Sequence, residues 1–275
     1  MLTALIVEQL EKGTPPWRRP WGGRFAWPRN LTTLKQYRGV NVFLLSAFGY
    51  SSPFWLTYRQ AQIGGHVREG EHGAPLVFWK EWEREDRDTG EAAKIPILRH
   101  YTVFHASQID GIDHLIPPGG VFDQPNTPIE RCQQVVRNMP RRPAIRHDFD
   151  RAFYRPSDDM VGMPKIGAFD TAEAYHATLF HELAHSTGHK DRLNRPSIVE
   201  AVHFGSESYG KEELIAEMTA AFLCGHTGIE TATLDNSAAY VAGWLRAIRK
   251  DARLVVTAAA AAQRAADFVL GQSAA

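Results

Sequence analysis

The stretch HELAHSTGH, residues 181–189, constrains this chain more than any other. On an α-helix, positions i and i+4 lie one above the other on the same face, so His181 and His185 can aim their imidazoles at one point. Leu179, Phe180, Leu183 and Ala184 surround them, which predicts a largely buried helix. Two histidines in an apolar setting are costly without a partner, and a metal ion is the partner that this spacing fits. Glu182 then stands beside the ion, placed to take a proton from water. A helix that merely carries two histidines and a glutamate is the competing reading.

A tetrahedral catalytic site needs a third protein ligand and one open position. In KEELIAEMTAAFL, Glu213 and Glu217 share a face with Ala216 and Ala220, small residues that would let this segment press against the HELAH helix. Glu213 is the first candidate ligand. Glu217, one turn on, would accept the free N–H of a ligating histidine, and Glu212 is a fallback ligand. Asp191 is a second candidate, because HELAHSTGHKD fits HExxHxxGxxH with Asp in the last place and Gly188 would permit the turn. His189 is a third. One divalent ion is expected, zinc first, with manganese or cobalt as alternatives for such ligands. With the ion in place, Glu182 would act as general base on a scissile carbonyl, and Tyr209 or His189 could donate to the oxyanion.

The N-terminal part has a different character. Residues 1–80 carry ten basic residues against four acidic, although the whole chain is neutral, and six of the seven tryptophans fall by position 82. Any nucleic-acid affinity must therefore be local. Cations for phosphates beside flat rings for unpaired bases are what a single-strand groove requires. Trp17, Arg18, Arg19, Trp21, Arg29, Tyr37, Arg38, Trp55 and Tyr58 are the candidates, drawn from PWRRPW, WPRN, YRGVN and WLTYRQ. A core role competes for the tryptophans, above all for Trp55, Trp79 and Trp82 in predicted strands.

APLVFWKEW and IPILRHYTVFHASQI read as strands joined by a charged connection. LIPPGGVFDQPNTP breaks any periodic pattern and suggests a domain boundary near residue 120. Beyond it, 171–188, 211–226 and 238–270 read as helices, with two or three short strands in FDRAFYRPSDDMVGMPKIGAF. The fold class expected is α+β: an N-terminal α+β domain over 1–120, then a mainly helical domain over 121–275. Cys132 and Cys224, the two cysteines, offer neither a disulfide framework nor a thiolate site, and no stretch approaches a membrane span. A soluble cytoplasmic protein is expected.

Several blocks, in order, resemble the ArdC-type antirestriction proteins of conjugative plasmids. KGTPPWRRPW, YRGVN, FWLTYRQA, GGHVREGEHG and YTVFHASQ are similar to their single-stranded-DNA-binding domain; LFHELAHSTGHKDRLNR, FGSESYGKEELIAEMTAAFL and YVAGWLRAIRKD are similar to the zincin-like metallopeptidase domain of polyvalent plasmid and phage proteins. The resemblance implies a zincin-like fold, metal at His181 and His185, Glu182 as base, and the Glu213 helix over Asp191. It further implies a peptidase that works at single-stranded DNA on a protein substrate and protects incoming DNA from host restriction. A non-proteolytic shield that covers the strand, with a structural metal, is the alternative.

Overall fold

The computed structural model describes residues 2–12, 15, 17, 27–85, 92–117, 126–200, 207–229, 238–251 and 253–272. They group into two units, one of residues 28–121 and one of residues 1–27 with 122–275. Helix α1 (Leu2–Glu11) belongs to the second, helical unit, burying Ile6 and Leu10. Residues 1–27 thus group by their contacts with the helical unit, whereas the sequence reading places them in the domain over 1–120. Their apolar side chains find partners late in the chain: Trp17, 0% exposed, meets Trp244 edge-on at 5.8 Å, and Glu11 pairs with Arg249.

The strand-rich unit contains β1 (Arg29–Asn30), α2 (Val40–Ala47), β2 (Phe54–Thr57), α3 (Tyr58–Ala61), β3 (His66–Val67), β4 (Ala74–Glu85), β5 (Ala92–His105) and β6 (Ile109–Asp110). Its main sheet has the order β1-β2-β5-β4, and β3 pairs with β6. The expected pair of strands is the β4–β5 hairpin, in unbroken register from Ala74 opposite Val103 to Glu85 opposite Ala92. It reaches further into the charged connection than periodicity suggests. Side chains alternate across such a sheet. Leu45 of α2 covers Trp55, Ala74, Leu76 and Val103, while Phe54 and Leu56 join Leu31, Ala61, Ile109 and Ile112 in a separate cluster. The TYRQ stretch serves as a helix start: Thr57 and Gln60 form a reciprocal capping box for α3, and Asn30 donates to Gln60 at 2.9 Å.

β4 is an edge strand, and Asn41 of α2 closes part of that edge. Its buried amide donates to the Val77 carbonyl at 2.8 Å and accepts the Val77 N–H at 2.9 Å. Asn41→Leu would leave both peptide groups unpaired at about 1–3 kcal/mol each. A loss of about 2 kcal/mol or more is expected in urea unfolding followed by Trp fluorescence.

The helical unit continues with α4 (Pro128–Asn138), β7 (Ala144–Arg146), β8 (Phe153–Arg155), β9 (Met160–Gly162), α5 (Ala172–Ser186), α6 (Pro196–Val199), α7 (Glu207–Thr227), α8 (Ala238–Lys250) and α9 (Leu254–Val269). Thr171 caps α5 by accepting the Ala174 N–H at 3.0 Å, as DTAE predicts. β7, β9 and β8 form a three-stranded sheet in that order, beside which α5 packs. α7 packs against α4, α5, α8 and α9. Its Ala216, Ala220 and Ala221 and the buried Ala258, Ala259, Ala262 and Ala265 of α9 permit close approach; the Thr219 hydroxyl even donates to the Ala262 carbonyl at 3.3 Å. The stretch 238–270, expected to be helical with TAAAAAQRAADFVL as a final packing helix, forms two helices. Asp251 accepts the Arg253 N–H at 2.9 Å, and such a local bond competes with the helical ladder. Among the described residues, no helix is long and apolar enough to cross a membrane.

Candidate metal centre

α5 carries His181, Glu182 and His185 on consecutive turns, and α7 brings Glu213 to them. His181 Nε2 and His185 Nε2 are 3.1 Å apart; Glu213 stands 3.5 Å from the first through Oε2 and 3.6 Å from the second through Oε1. Ligands on a tetrahedron with metal–nitrogen distances of about 2.0–2.1 Å lie about 3.3–3.4 Å from one another. The donor set therefore fits one divalent ion. Among the described residues, this trio is the group of His, Cys, Asp and Glu ligand atoms that converges.

All three side chains are nearly buried, and their charges respond to one another. Burial alone would lower the pKa of His181, but the carboxylates of Glu213, Glu182 and Glu217 overcome it and push the group up to about 9. Glu213 moves the opposite way: burial would raise it, yet His181, His185 and the Tyr209 hydroxyl hold it below the usual carboxylate range. A cleft of about 700 Å³ opens on the trio, lined also by Glu182, Tyr209, Phe153, Tyr154, Ile198 and Val199. The catalytic candidate and the trio thus face the same space.

The alternative third ligands lie elsewhere. Asp191 has a side chain 68% exposed and sits 3.5 Å from His189, away from the trio. Gly188 has a different use from a left-handed turn. A Cβ there would come within 2.6 Å of Ile198 and 3.1 Å of the Arg195 guanidinium carbon. Glu217 faces His181 Nδ1 at 3.8 Å, on the side where the sequence expects it but at more than hydrogen-bond length. Glu212, the expected fallback ligand, stands behind His185 instead, with Oε1 3.3 Å from Nδ1. Burial would raise Glu212, but His185 and Arg195 hold it down at about 2. Arg195 itself was missed; an Arg four residues after a fitted HExxHxxGxxH pattern gives no local signal of where its guanidinium lands.

The proposed strand-binding residues fare unevenly. Arg18, Arg19 and Trp21 lie outside the described residues, as do the side chains of Trp79 and Trp82. Trp17 is core, and Trp55, 2% exposed, lies under Leu45, so neither face can take a base. Tyr37 packs against that cluster, Arg29 is half-buried and Arg38 is exposed. Tyr58 is 55% exposed. Exposed rings that sequence reasoning passed over are Phe78 and Tyr101, edge-on at 5.3 Å, with Arg99 directly opposite Phe78 in the ladder. Strand alternation alone could not have found them, because Phe78 shares its face with core Leu76.

Comparison with known proteins agrees with this architecture. The family described as zincin-like metallopeptidase matches residues 130–261, so the helical unit carries a zincin-like domain. The N-terminal domain of anti-restriction factor ArdC matches residues 1–104. Crystal structures of the antirestriction ArdC protein from R388 plasmid superpose with a TM-score of 0.78: the metal-free form at 41% identity, covering 98% of this chain and 94% of that one, and the Mn(II)-bound form at 39%, covering 98% and 96%. The uncharacterized protein y4eC of Sinorhizobium fredii (strain NBRC 101917 / NGR234) is 37% identical over 98% of this chain and 91% of its own. A DNA primase TraC of Escherichia coli is 40% identical over 96% of this chain, which spans 26% of that protein's length. The chain belongs to the ArdC antirestriction family.

Proposed function

We propose that this protein is an antirestriction factor with a metal-dependent peptidase centre at His181, His185 and Glu213, which works at single-stranded DNA and protects incoming DNA. The observation that carries the reading is the convergence of three ligand atoms at tetrahedral spacings, with Glu182 in the same cleft. A divalent ion held there supplies Lewis acidity, which lowers the pKa of water from about 15.7 toward about 7. Zinc suits two imidazoles and a carboxylate; the R388 relative has been crystallised with Mn(II). Glu182 accepts a proton from the attacking water and returns it to the leaving amine. Tyr209, which lines the cleft and is hydrogen-bonded to Glu213, donates to the oxyanion. The substrate is a protein, reached while it is bound to DNA in the cytoplasm. The test is mass spectrometry of unfolded protein substrates incubated with zinc-loaded and chelator-treated protein, with and without single-stranded DNA: cleavage confined to the loaded protein is expected, and none in either overturns the peptidase reading.

The strand-rich unit supplies the DNA contact in this reading, and its exposed Tyr58, Phe78 and Tyr101 take over the stacking role expected of the buried tryptophans. A stacked base is worth about 1–3 kcal/mol. Tyr101→Ala is accordingly expected to weaken binding of an oligothymidine by about 5–150-fold, measured by fluorescence anisotropy, with little change in the salt slope because no phosphate contact is removed. Arg99→Ala should flatten that slope instead.

A further inference from the structure

Behind the converging ligands lies a second polar cluster that the proposed chemistry does not use. Glu212 is 3% exposed. Its carboxylate meets His185 Nδ1 at 3.3 Å, accepts Arg195 Nε at 3.0 Å and Nη2 at 2.5 Å, and accepts the Ser197 hydroxyl at 2.5 Å. The same guanidinium donates to Thr187 Oγ1 at 2.6 Å and to the Ala184 carbonyl at 2.9 Å. One arginine therefore ties the last turn of α5, which holds His185, to the residue of α7 that immediately precedes Glu213. Gly188 leaves space that Ile198 and the guanidinium of Arg195 fill together.

An imidazole that ligates through Nε2 must keep its proton on Nδ1, and an acceptor placed at Nδ1 sets both the tautomer and the ring rotation. We infer that Arg195 and Glu212 are positioning residues for the metal centre: Arg195 braces the Glu212 carboxylate, and Glu212 turns His185 Nε2 toward His181 and Glu213. This rests on the metal-binding reading above. The structural alternative is that Arg195 only caps the C-terminal end of α5, where a cation on exposed carbonyls is favourable in any helix. A cap alone would lower melting temperature without discriminating against metal.

The experiment compares the full-length wild type with E212Q, R195K and the double variant. Zinc(II) affinity is measured by competition with a chromophoric chelator at one fixed pH, the cobalt(II) absorption spectrum is recorded, and folding is checked by circular dichroism. Gln keeps the volume of Glu212 and an acceptor for His185 but not the charge; Lys keeps the charge of Arg195 but not the fork that spans carboxylate and carbonyl together. Each single variant is expected to bind zinc(II) about 10–100-fold more weakly, with an altered cobalt(II) band. The double variant is expected to fall no further than E212Q, since Arg195 acts through Glu212. Folded single variants that bind within twofold of wild type overturn the inference, as do losses that multiply in the double variant. R195K decides the matter by itself where E212Q does not fold. A wild type that binds neither ion overturns the metal reading and this inference together, whereas a binding wild type with unaffected variants overturns this inference alone.

Discussion

Glu182→Gln is expected to cut peptide hydrolysis by about 10²–10⁴-fold, the usual worth of a positioned general base, while zinc affinity stays within a few-fold of wild type. The reason is positional. Glu182 follows the ligand His181 on α5 and lines the same cleft, but it is not among the three groups whose ligand atoms converge. Gln fills the same volume and cannot accept a proton, so the variant removes one chemical step and leaves the ligand set intact. Hydrolysis followed by mass spectrometry, and metal content by atomic emission, separate the two effects. The same variant divides the two readings of the biological role. If transfer of DNA into a restricting host is no longer protected, proteolysis is the means of protection; if protection persists while hydrolysis is gone, the protein works as a shield over the strand and the metal is structural.

The parts of this site that could be read from the chain are those whose geometry is local. His181 and His185 share a face because a helix repeats every 3.6 residues, and no later packing alters that. Glu213 was reachable because it shares a face of α7 with the small residues Ala216 and Ala220, which let helices approach closely. That Glu212 would meet His185 from behind rather than stand as a spare ligand was not reachable. Successive residues on a helix differ by about 100°, so a small rotation of α7 against α5 decides which carboxylate meets which imidazole. Trp17 shows the same limit in the fold: a tryptophan among prolines and arginines looks exposed until Trp244, more than two hundred residues away, is known to be its neighbour. Between α8 and α9, Asp251 accepts the Arg253 N–H, a local bond that apolar periodicity does not register.

Glu213→Gln is expected to weaken zinc binding by more than the roughly 100-fold that loss of an outer hydrogen-bond partner costs, and to abolish hydrolysis with it. It should also change the response to pH in a way that loss of a merely structural residue would not. In the metal-free protein the surrounding carboxylates hold His181 protonated up to about 9, well above its usual 6.5. A group whose pKa is raised on folding contributes stability that is complete below the unfolded value and is lost as pH rises through the folded one. The melting temperature of the chelator-treated wild type should therefore fall between about pH 6.5 and 9. Metal binding runs against this trend, because ligation requires the neutral imidazole and releases the proton, so zinc affinity should rise across the same window. Glu213 is the strongest influence opposing burial at His181, and its removal should flatten both slopes. Melting curves at several pH values, with and without zinc, read the two trends directly. Parallel curves for wild type and variant would mean that Glu213 neither ligates the ion nor sets the charge of His181, and the tetrahedral spacing of the three groups would then have no chemical consequence.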